Sequence, residues 1–420
     1  MIAFVRTVSA AAVVAAWLVG CTGSQGGRTL PPGAGAAAVP RAPAGSNAVD
    51  YSNAAALLKG GMTPARLVQL QMQGRLPAPV PLRSLRNQLA QPSGGRPRPA
   101  LHPDARVGLW VSNTNFNYVL GQNAAGTQTE TAIDAAQNGC YSPIALKVDH
   151  ARNLWVGCEL TSPSTVSGTL QEYGPTGSFM AQYLAQCPKN VAGCSSFGGY
   201  GFDSGLDAQH NVFASMNLYS YEVCNPSCTT TLGAGFEWWP HGASPSSKPK
   251  LISVGANCAP VCGVGYMDVD SSGNLWFDFS GYDSTGTYGF GLGEIKSPTK
   301  SPSFKIVEPI GTYQFFGGVY VSKSGTVLNV IDQTGRTVSQ YKLPVTTGAK
   351  PFAVLGPTPT AVFGVGDPIS GGFNQTESKL AIGDSGGWVD VGTTSNAWTT
   401  PANLNFYSGL AGAAYTPSDK

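Results

Sequence analysis

The chain has 420 residues, including 54 glycines and 31 prolines, and only 11% of its residues are charged. So few charges exclude a coiled coil or a long-helix protein, which needs many Glu, Lys and Arg side chains on its solvated faces. The hydrophobic content of 42% is sufficient for a buried core and excludes a wholly disordered chain.

The net charge of +2 conceals two parts of opposite sign. Residues 21–106 carry ten Lys and Arg against two Asp, whereas residues 107–420 carry fourteen Lys and Arg against twenty-one Asp and Glu. The charge pattern therefore predicts a basic N-terminal segment followed by an acidic body.

The first residues are typical of an export signal. Arg6 supplies a positive charge, and a mostly apolar run continues to Val19. This run is too short to span a bilayer comfortably, which favours a secretory signal over a transmembrane helix. Leu18-Val19-Gly20-Cys21 resembles the bacterial lipobox, which implies cleavage after residue 20 and a lipid anchor on Cys21. Because Thr22 follows, the resemblance implies an outer-membrane location in a Gram-negative cell; an ordinary signal peptide with a chance cysteine is the alternative.

The next segment, residues 21–105, is expected to be a basic linker. Its Gly, Ala and Pro-rich part, Gly23 to Gly45, predicts a disordered tether, and Thr63-Pro64 predicts the start of a short helix. Beside a lipid anchor, its arginines would attract anionic headgroups at about 1 kcal/mol each; a plain solvated linker is the alternative. Export and the lack of interleaved aromatic residues argue against a nucleic-acid partner. The expected division is a signal peptide at 1–20, the linker at 21–105 and the body at 106–420.

Eight further cysteines lie in the body. An even number in an exported chain predicts disulfides, because that compartment is oxidising. The short spacings favour three local pairs, Cys187 with Cys194, Cys224 with Cys228, and Cys258 with Cys262, which leaves Cys140 to pair with Cys158. A zinc site made from the two Cys-x3-Cys pairs is the alternative.

The body repeats a β-hairpin unit in which an apolar strand, a short polar turn and a second apolar strand follow one another. The second strand of each unit begins near Leu109, Leu154, Val212, Leu275, Val327 and Leu380, with intervals of 45 to 63 residues. This period is typical of one four-stranded propeller blade. The first unit lacks its first strand, and Gly409 to Thr416 supplies a first strand alone. The predicted fold is therefore an all-β, six-bladed β-propeller, closed by an N-terminal and a C-terminal strand in one blade.

The hairpin motif resembles the six-bladed propellers of the NHL and gluconolactonase-like superfamily, and Ser271-Ser272-Gly273-Asn274-Leu275-Trp276 is the closest copy. The resemblance covers residues 107 to 420 and concerns an architecture shared by enzymes, binding modules and structural proteins. Fold alone does not fix function.

Two sets of residues are candidates for a site on the propeller face where the loops follow the second strands. Aromatic rings suit sugars or extended peptides, although blade packing is the alternative; the candidates are Tyr141, Tyr200, Tyr266, Tyr313, Phe316 and Tyr407. Carboxylates and amides near the channel suit Ca²⁺, and gluconolactonase-like enzymes use a similar set for a catalytic metal; the candidates are Glu159, Asn217, Asp332 and Asp384. Polar channel residues that bind only water are the alternative.

Two functions are compatible with these patterns. The first is a non-catalytic, lipid-anchored, monomeric binding module for a peptide, glycan or partner protein at the bacterial cell envelope. The second is a metal-dependent hydrolase of the lactonase or esterase type that uses Ca²⁺ in the acidic channel. None of the four histidines is expected at the channel mouth, which argues against a Ser-His-Asp hydrolase.

Overall fold

A computed structural model describes residues 107–416, except 114–116, 125–128, 161–167, 225–226, 257–259, 262, 283–287, 314–315, 333–335, 357–367, 385–386, 393–394 and 400–409. The expected signal peptide, Cys21, the linker, Tyr407, Cys258 and Cys262 lie outside the described residues. The division into signal, linker and body therefore stays a prediction. Within the described ranges no helix is long and apolar enough to cross a bilayer.

The described chain is an all-β propeller, and its strands form six four-stranded antiparallel sheets. Sheet 1 contains β1 (Leu109–Asn113), β2 (Tyr118–Gln122), β3 (Thr129–Asp134) and β24 (Leu410–Tyr415). Sheet 2 contains β4 (Tyr141–Val148), β5 (Leu154–Leu160), β6 (Thr169–Tyr173) and β7 (Phe179–Leu184). Sheet 3 contains β8 (Cys194–Leu206), β9 (Val212–Cys224), β10 (Cys228–Trp239) and β11 (Lys250–Ala256).

The remaining three sheets follow the same order along the chain. Sheet 4 contains β12 (Gly263–Val269), β13 (Leu275–Tyr282), β14 (Tyr288–Lys296) and β15 (Ser303–Tyr313). Sheet 5 contains β16 (Phe316–Val321), β17 (Val327–Asp332), β18 (Thr337–Lys342) and β19 (Ala353–Leu355). Sheet 6 contains β20 (Pro368–Phe373), β21 (Lys379–Asp384), β22 (Gly387–Gly392) and β23 (Ala397–Thr399). The one helix of the described residues is a 3-10 turn at Ala135–Asn138.

One inner strand from each sheet lines the centre. These strands contact one another in the order β24, β4, β8, β12, β16, β20 and back to β24, which closes a ring. Strand β24 pairs with β1, from Leu109 opposite Tyr415 to Asn113 opposite Leu410. This pairing confirms the predicted junction, and it satisfies the backbone groups of β1 that would otherwise form an open sheet edge.

The repeat in the sequence corresponds to the second strand of each sheet. Five of the six marker residues begin such a strand, and Leu380 is the second residue of β21. Trp110, Trp155 and Trp276 lie on these strands and are buried. Buried apolar residues from neighbouring sheets share clusters, as where Trp110 of sheet 1 packs with Leu146 and Leu154 of sheet 2. Packing between adjacent sheets therefore supplies the core.

Hydrogen bonds explain why a short polar residue begins the turn after the first strand of a repeat. In the turn before β13, the carboxylate of Asp270 accepts the N–H groups of Ser272 and Asn274, each at 2.9 Å. Its second oxygen accepts the indole N–H of Trp276 at 2.9 Å and the side-chain amide of Asn274. One carboxylate thus closes the turn and fixes a core tryptophan, which is typical of Asp at such positions.

The same turn recurs in five sheets. The fourth residue of each turn donates its backbone N–H to the first residue and has a positive φ, and these residues are Arg152, His210, Gly273, Gly325 and Glu377. Only two of the five are glycines, although L side chains disfavour this conformation. Each of these turns follows the inner strand of its sheet. The end of the ring where the inner strands finish is called here the turn end.

Candidate functional site

The end of the ring opposite the turns carries the disulfides, and it is called here the disulfide rim. Cys140 and Cys158 join the start of β4 to β5, and Cys187 and Cys194 join the segment after β7 to the start of β8. Cys224 and Cys228 close the β9–β10 hairpin. These three predicted pairs are confirmed. The alternative prediction, a zinc site that includes Cys224 and Cys228, is wrong, because the sulfur atoms of these two cysteines are bonded to each other.

Sheet 3 is extended at the disulfide rim. Strands β8 and β9 have 13 residues each and β10 has 12, whereas β5, β13 and β17 have 7, 8 and 6. At about 3.3 Å per residue, the six additional residues of β9 relative to β5 lengthen the sheet by about 20 Å along the strand. Pairing between β9 and β10 continues to Cys224 opposite Cys228. The disulfide therefore caps a long, regular hairpin.

The outer edge of this hairpin is incomplete among the described residues. Strand β11 pairs with β10 only from Trp238 to Gly233. Residues 228–232 of β10 continue beyond the end of β11 and pair there with β9 alone within the described part of the chain. A strand edge of this length can accept a further strand through main-chain hydrogen bonds.

The predicted aromatic face is placed only in part. Tyr141 is half-buried at the start of β4, while Tyr200, Tyr313 and Phe316 are placed by their backbones on β8, β15 and β16. Tyr266 is fully buried, so its prediction as a ligand-face residue is wrong. The reason is that β12 is an inner strand whose two faces are both covered by protein. Val264, Tyr266 and Met267 are all buried, although successive side chains of a strand point to opposite faces.

The predicted metal residues lie at two different positions along four second strands. Counted from the residues that close the turns, Asn153, Asn211, Val327 and Lys379, Glu159 and Asn217 are six residues further along the chain, whereas Asp332 and Asp384 are five residues further. Of these four, only Asp332 has a described side chain, which is half-buried. Among the described residues there is no group of three or more His, Cys, Asp or Glu that could hold a metal ion. Carboxylate and amide oxygens fit a hard cation chemically, but the metal site itself stays a prediction.

A charged cluster lies inside the ring towards the turn end, and sequence reasoning missed it. Lys147 of β4 lies 3.7 Å from a carboxylate oxygen of Asp203 on β8 and 3.5 Å from one of Asp268 on β12. It also donates a hydrogen bond of 3.0 Å to the backbone oxygen of Met267. The side chain of Lys147 is 13% exposed and that of Asp203 is inaccessible. One lysine thus neutralises two carboxylates from two other sheets.

Polar contacts extend this cluster around the ring. The ammonium of Lys147 lies 4.6 Å from the ring centroid of Tyr320 on β16. The hydroxyl of Tyr320 donates to Ser370 of β20 at 2.6 Å and accepts the N–H of Gly371. In sheet 1, Ser112 donates to the carbonyl of Ile144 on β4. These contacts join neighbouring sheets through buried side chains.

Burial shifts the acidities of these groups. Desolvation raises the pKa of Asp203 to about 6, although Lys147 and two backbone N–H groups act in the opposite direction. Burial also raises the pKa of Asp278 well above its ordinary value, and the nearby Asp203 adds to the effect. Burial raises the pKa of the Tyr320 hydroxyl as well, so this group stays a hydrogen-bond donor. Such shifts occur in active sites and in structural networks alike.

The cluster is better suited to structure than to chemistry. Asp203 accepts the N–H groups of Ser204 and Met267, and Asp268 accepts the N–H of Val321. The ammonium group of Lys147 contacts these two carboxylates, a backbone carbonyl and an aromatic ring. No strongly basic or nucleophilic group is left free among these contacting groups. The sequence did contain a signal for this cluster. The position two residues before the first turn residue holds Lys147 in sheet 2, Asp268 in sheet 4 and Tyr320 in sheet 5. A positive and a negative side chain thus stand at equivalent positions of the repeat.

Comparisons with known proteins support the fold. No protein-family model matches the chain, and no curated protein matches it. A chain in the crystal structure of a nidogen/laminin complex matches with a TM-score of 0.50 and 11% identity, covering 74% of this chain and 99% of that chain. At this identity the likeness shows the β-propeller fold alone.

Two further solved structures match less closely in shape. The periplasmic gluconolactonase of Pseudomonas aeruginosa has a TM-score of 0.43 and 12% identity, with 70% of this chain and 82% of that chain covered. A functionally unknown protein from Desulfotomaculum acetoxidans has a TM-score of 0.43 and 12% identity, with 74% of this chain and 99% of that chain covered. Neither carries an argument about activity.

Proposed function

We propose that this chain is an exported, lipid-anchored, six-bladed propeller that binds a peptide segment of a partner protein at the bacterial cell envelope without catalysing a reaction. The binding surface in this proposal is the disulfide rim, and its centre is the extended hairpin of β9 and β10. Cys21 is the proposed anchor, and residues 21–105 are the proposed link between the anchor and the propeller.

The observation that carries the proposal is the extended, covalently capped sheet 3. Ordering a long hairpin has an entropic cost, and the Cys224–Cys228 disulfide reduces the freedom of its tip before any partner arrives. Within the described residues β10 pairs at 228–232 with β9 alone, and in this proposal the added strand pairs with the outer edge there through main-chain hydrogen bonds. A rigid strand edge is suited to an extended peptide, and it requires no catalytic group.

The charged cluster supports a non-catalytic function from the other end of the ring. Lys147, Asp203 and Asp268 satisfy one another, and their contacts lie within the propeller. A general acid or base must reach a substrate with a free proton or lone pair. This cluster instead stabilises the ring.

Site-specific photo-crosslinking in cells tests the proposed surface. A benzophenone amino acid at Ser227, which is exposed between Cys224 and Cys228, should yield adducts with an envelope protein. The matched control is the same amino acid at Ser272, which is exposed in the turn before β13 at the opposite end. Full-length protein with its signal and anchor should be used, so that the chain meets its natural partners.

The outcomes separate the surfaces and the ligand classes. Protein adducts at Ser227 and none at Ser272 would support the proposal. Adducts only at Ser272 would move the interface to the turn end and overturn it. Adducts with glycan at Ser227, and none with protein, would retain the rim but replace the peptide by a glycan.

A second candidate function is a Ca²⁺-dependent lactonase or esterase-like hydrolase. The observation in its favour is that Glu159, Asn217, Asp332 and Asp384 all lie on second strands, five or six residues beyond the residue that closes the turn. When bound, a cation in the channel would polarise a carbonyl group of the substrate. The carboxylates of Glu159, Asp332 and Asp384 would supply the charge that holds it.

Thermal melting with Ca²⁺ and with EDTA tests this second function. A site loaded at 100 times its dissociation constant stabilises the native state by about 2.7 kcal/mol, which a melt detects. Under the hydrolase hypothesis the Ca²⁺ shift disappears in Glu159→Ala and Asp332→Ala. If Ca²⁺ does not shift the melt of the unaltered protein, this candidate loses its cofactor.

A further inference from the structure

We propose that His210 and His241 form a two-imidazole binding site for a borderline divalent metal ion, with Cu²⁺ and Zn²⁺ as the best candidates. The site lies at the turn end of sheet 3, whereas Asn217 of the predicted acidic set lies further along β9 towards the disulfide rim. His210 is in the turn between β8 and β9, and His241 is in the connection between β10 and β11. Both residues are exposed and therefore accessible to a metal ion from solution.

The separation of the two rings fits a shared ion. Their centroids are 5.6 Å apart, and the ring planes are inclined by 46°. A metal–nitrogen bond of about 2.0–2.1 Å places an imidazole centroid about 3.2 Å from the ion, since a ring nitrogen lies about 1.1 Å from the centre of its ring. Two rings 5.6 Å apart then subtend an angle of about 120° at the ion. This angle is near the tetrahedral value, so the separation of the two rings suits one shared ion when a nitrogen of each ring faces it.

The backbone holds the two histidines together without a metal. The N–H of His241 donates to the side-chain oxygen of Asn211 at 3.0 Å, which ties its loop to the residue after His210. His210 has a φ of +59° and donates its own N–H to the carbonyl of Asp207 at 2.9 Å. Asp207 in turn accepts the N–H and the side-chain amide of Asn211. Both imidazoles therefore start from anchored backbones, which lowers the ordering cost of binding an ion.

The ligand type decides which metals fit. Neutral imidazole suits Cu²⁺, Zn²⁺ and Ni²⁺, whereas Ca²⁺ and Mg²⁺ prefer oxygen ligands. With two protein ligands, the other positions of the ion remain for water or for a group from another molecule. The site is thus expected to bind weakly and exchangeably, as an open site does, and not as a closed structural centre.

Copper titration of the full-length protein tests the proposal. Calorimetry measures the affinity, and electron paramagnetic resonance of bound Cu²⁺ shows how many imidazole nitrogens coordinate it. We expect one ion with two such nitrogens. His210→Asn and His241→Asn should each weaken binding at least tenfold and leave one coordinating nitrogen. Asparagine is chosen at position 210 because it tolerates a positive φ.

The control is His150→Asn, since His150 is an exposed histidine in the equivalent turn of sheet 2. This variant should bind copper as the unaltered protein does. The double variant at 210 and 241 removes both coordinating nitrogens, so it should show no imidazole-coordinated copper. Unchanged binding in the double variant, or an equal loss in His150→Asn, would overturn the proposal.

Discussion

The two ends of this propeller are held together by different means. At the turn end, local hydrogen bonds such as those of Asp270 close the turns, and Lys147 joins carboxylates from two other sheets. At the disulfide rim, covalent bonds join segments 4 to 18 residues apart in sequence. Short turns can satisfy their own backbone groups, whereas long loops gain more from a crosslink. Long loops are also where binding surfaces commonly occur.

The largest effect is expected from the turn end. Lys147→Met removes the cation beside the inaccessible carboxylate of Asp203 and the partly buried carboxylate of Asp268. Breaking a buried pair in this way costs about 3–5 kcal/mol of unfolding free energy. Urea unfolding measures the loss. Lys300→Met, at an exposed lysine, should change stability by less than about 0.5 kcal/mol. Equal effects of the two substitutions would show that the cluster does not stabilise the ring.

The disulfide rim should respond according to loop length. Replacing Cys140 and Cys158 together by Ala frees a separation of 18 residues, and the chain-entropy relation gives a loss of about 3 kcal/mol. The Cys224 and Cys228 pair, with a separation of 4, should cost about 2 kcal/mol. Thermal and urea unfolding compare them. The reverse order would indicate that packing at the two sites, and not loop closure, decides their contributions.

The pH dependence of stability reports on Asp203. Burial raises its pKa to about 6 from an ordinary value of 3.8, so the folded state binds a proton more tightly than the unfolded state. The free energy of unfolding should therefore fall as the pH rises from about 4 to about 6, by up to about 3 kcal/mol for this group. Above about pH 7, where the carboxyl group is ionised in both the folded and the unfolded state, its contribution should be constant. Urea unfolding at a series of pH values measures the slope, and Asp203→Asn should reduce it. A slope unchanged in that variant would assign the pH dependence to other groups.

Two turn carboxylates allow a finer test. Asp270 accepts the indole N–H of Trp276 as well as its own turn, whereas Asp207 accepts only hydrogen bonds of its turn residues among the contacts described. Asp270→Ala should cost about 1.5–3 kcal/mol more than Asp207→Ala, because the additional hydrogen bond from Trp276 to a charged group contributes about that much. Tryptophan fluorescence and urea unfolding follow both. Equal losses would show that the bond to Trp276 adds nothing.

The smallest effect concerns the positive φ of the turns. Gly273 has a φ of +77°, and a Cβ there would meet no atom within 4 Å. Gly273→Ala therefore isolates the conformational cost, which is about 1 kcal/mol. Gly273→Asn should cost less, since Asn tolerates this conformation. A neutral Ala substitution, measured by thermal unfolding, would show that the turn relaxes without strain.

Local patterns predicted most of the strands and three of the disulfides. The second strand of every sheet begins at a marker residue or one residue before it, because alternation and turn residues act over a few positions. Two of these disulfides join cysteines 7 and 4 residues apart, and their spacing was informative for that reason, whereas Cys140 and Cys158 were the two cysteines that remained. The position of Tyr266 could not be predicted in this way, since only the ring decides that both faces of β12 are covered.

The sequence alone determined the repeat, the strands and the junction of β1 with β24, because each depends on local apolar periodicity and on turns of a few residues. The tertiary structure alone decided which distant side chains meet. Lys147 donates to Met267 across 120 residues of sequence, and His210 approaches His241 through two loops of sheet 3. The first contact depends on the curvature and closure of the whole ring and the second on the pairing of β9 with β10, and no local pattern encodes either.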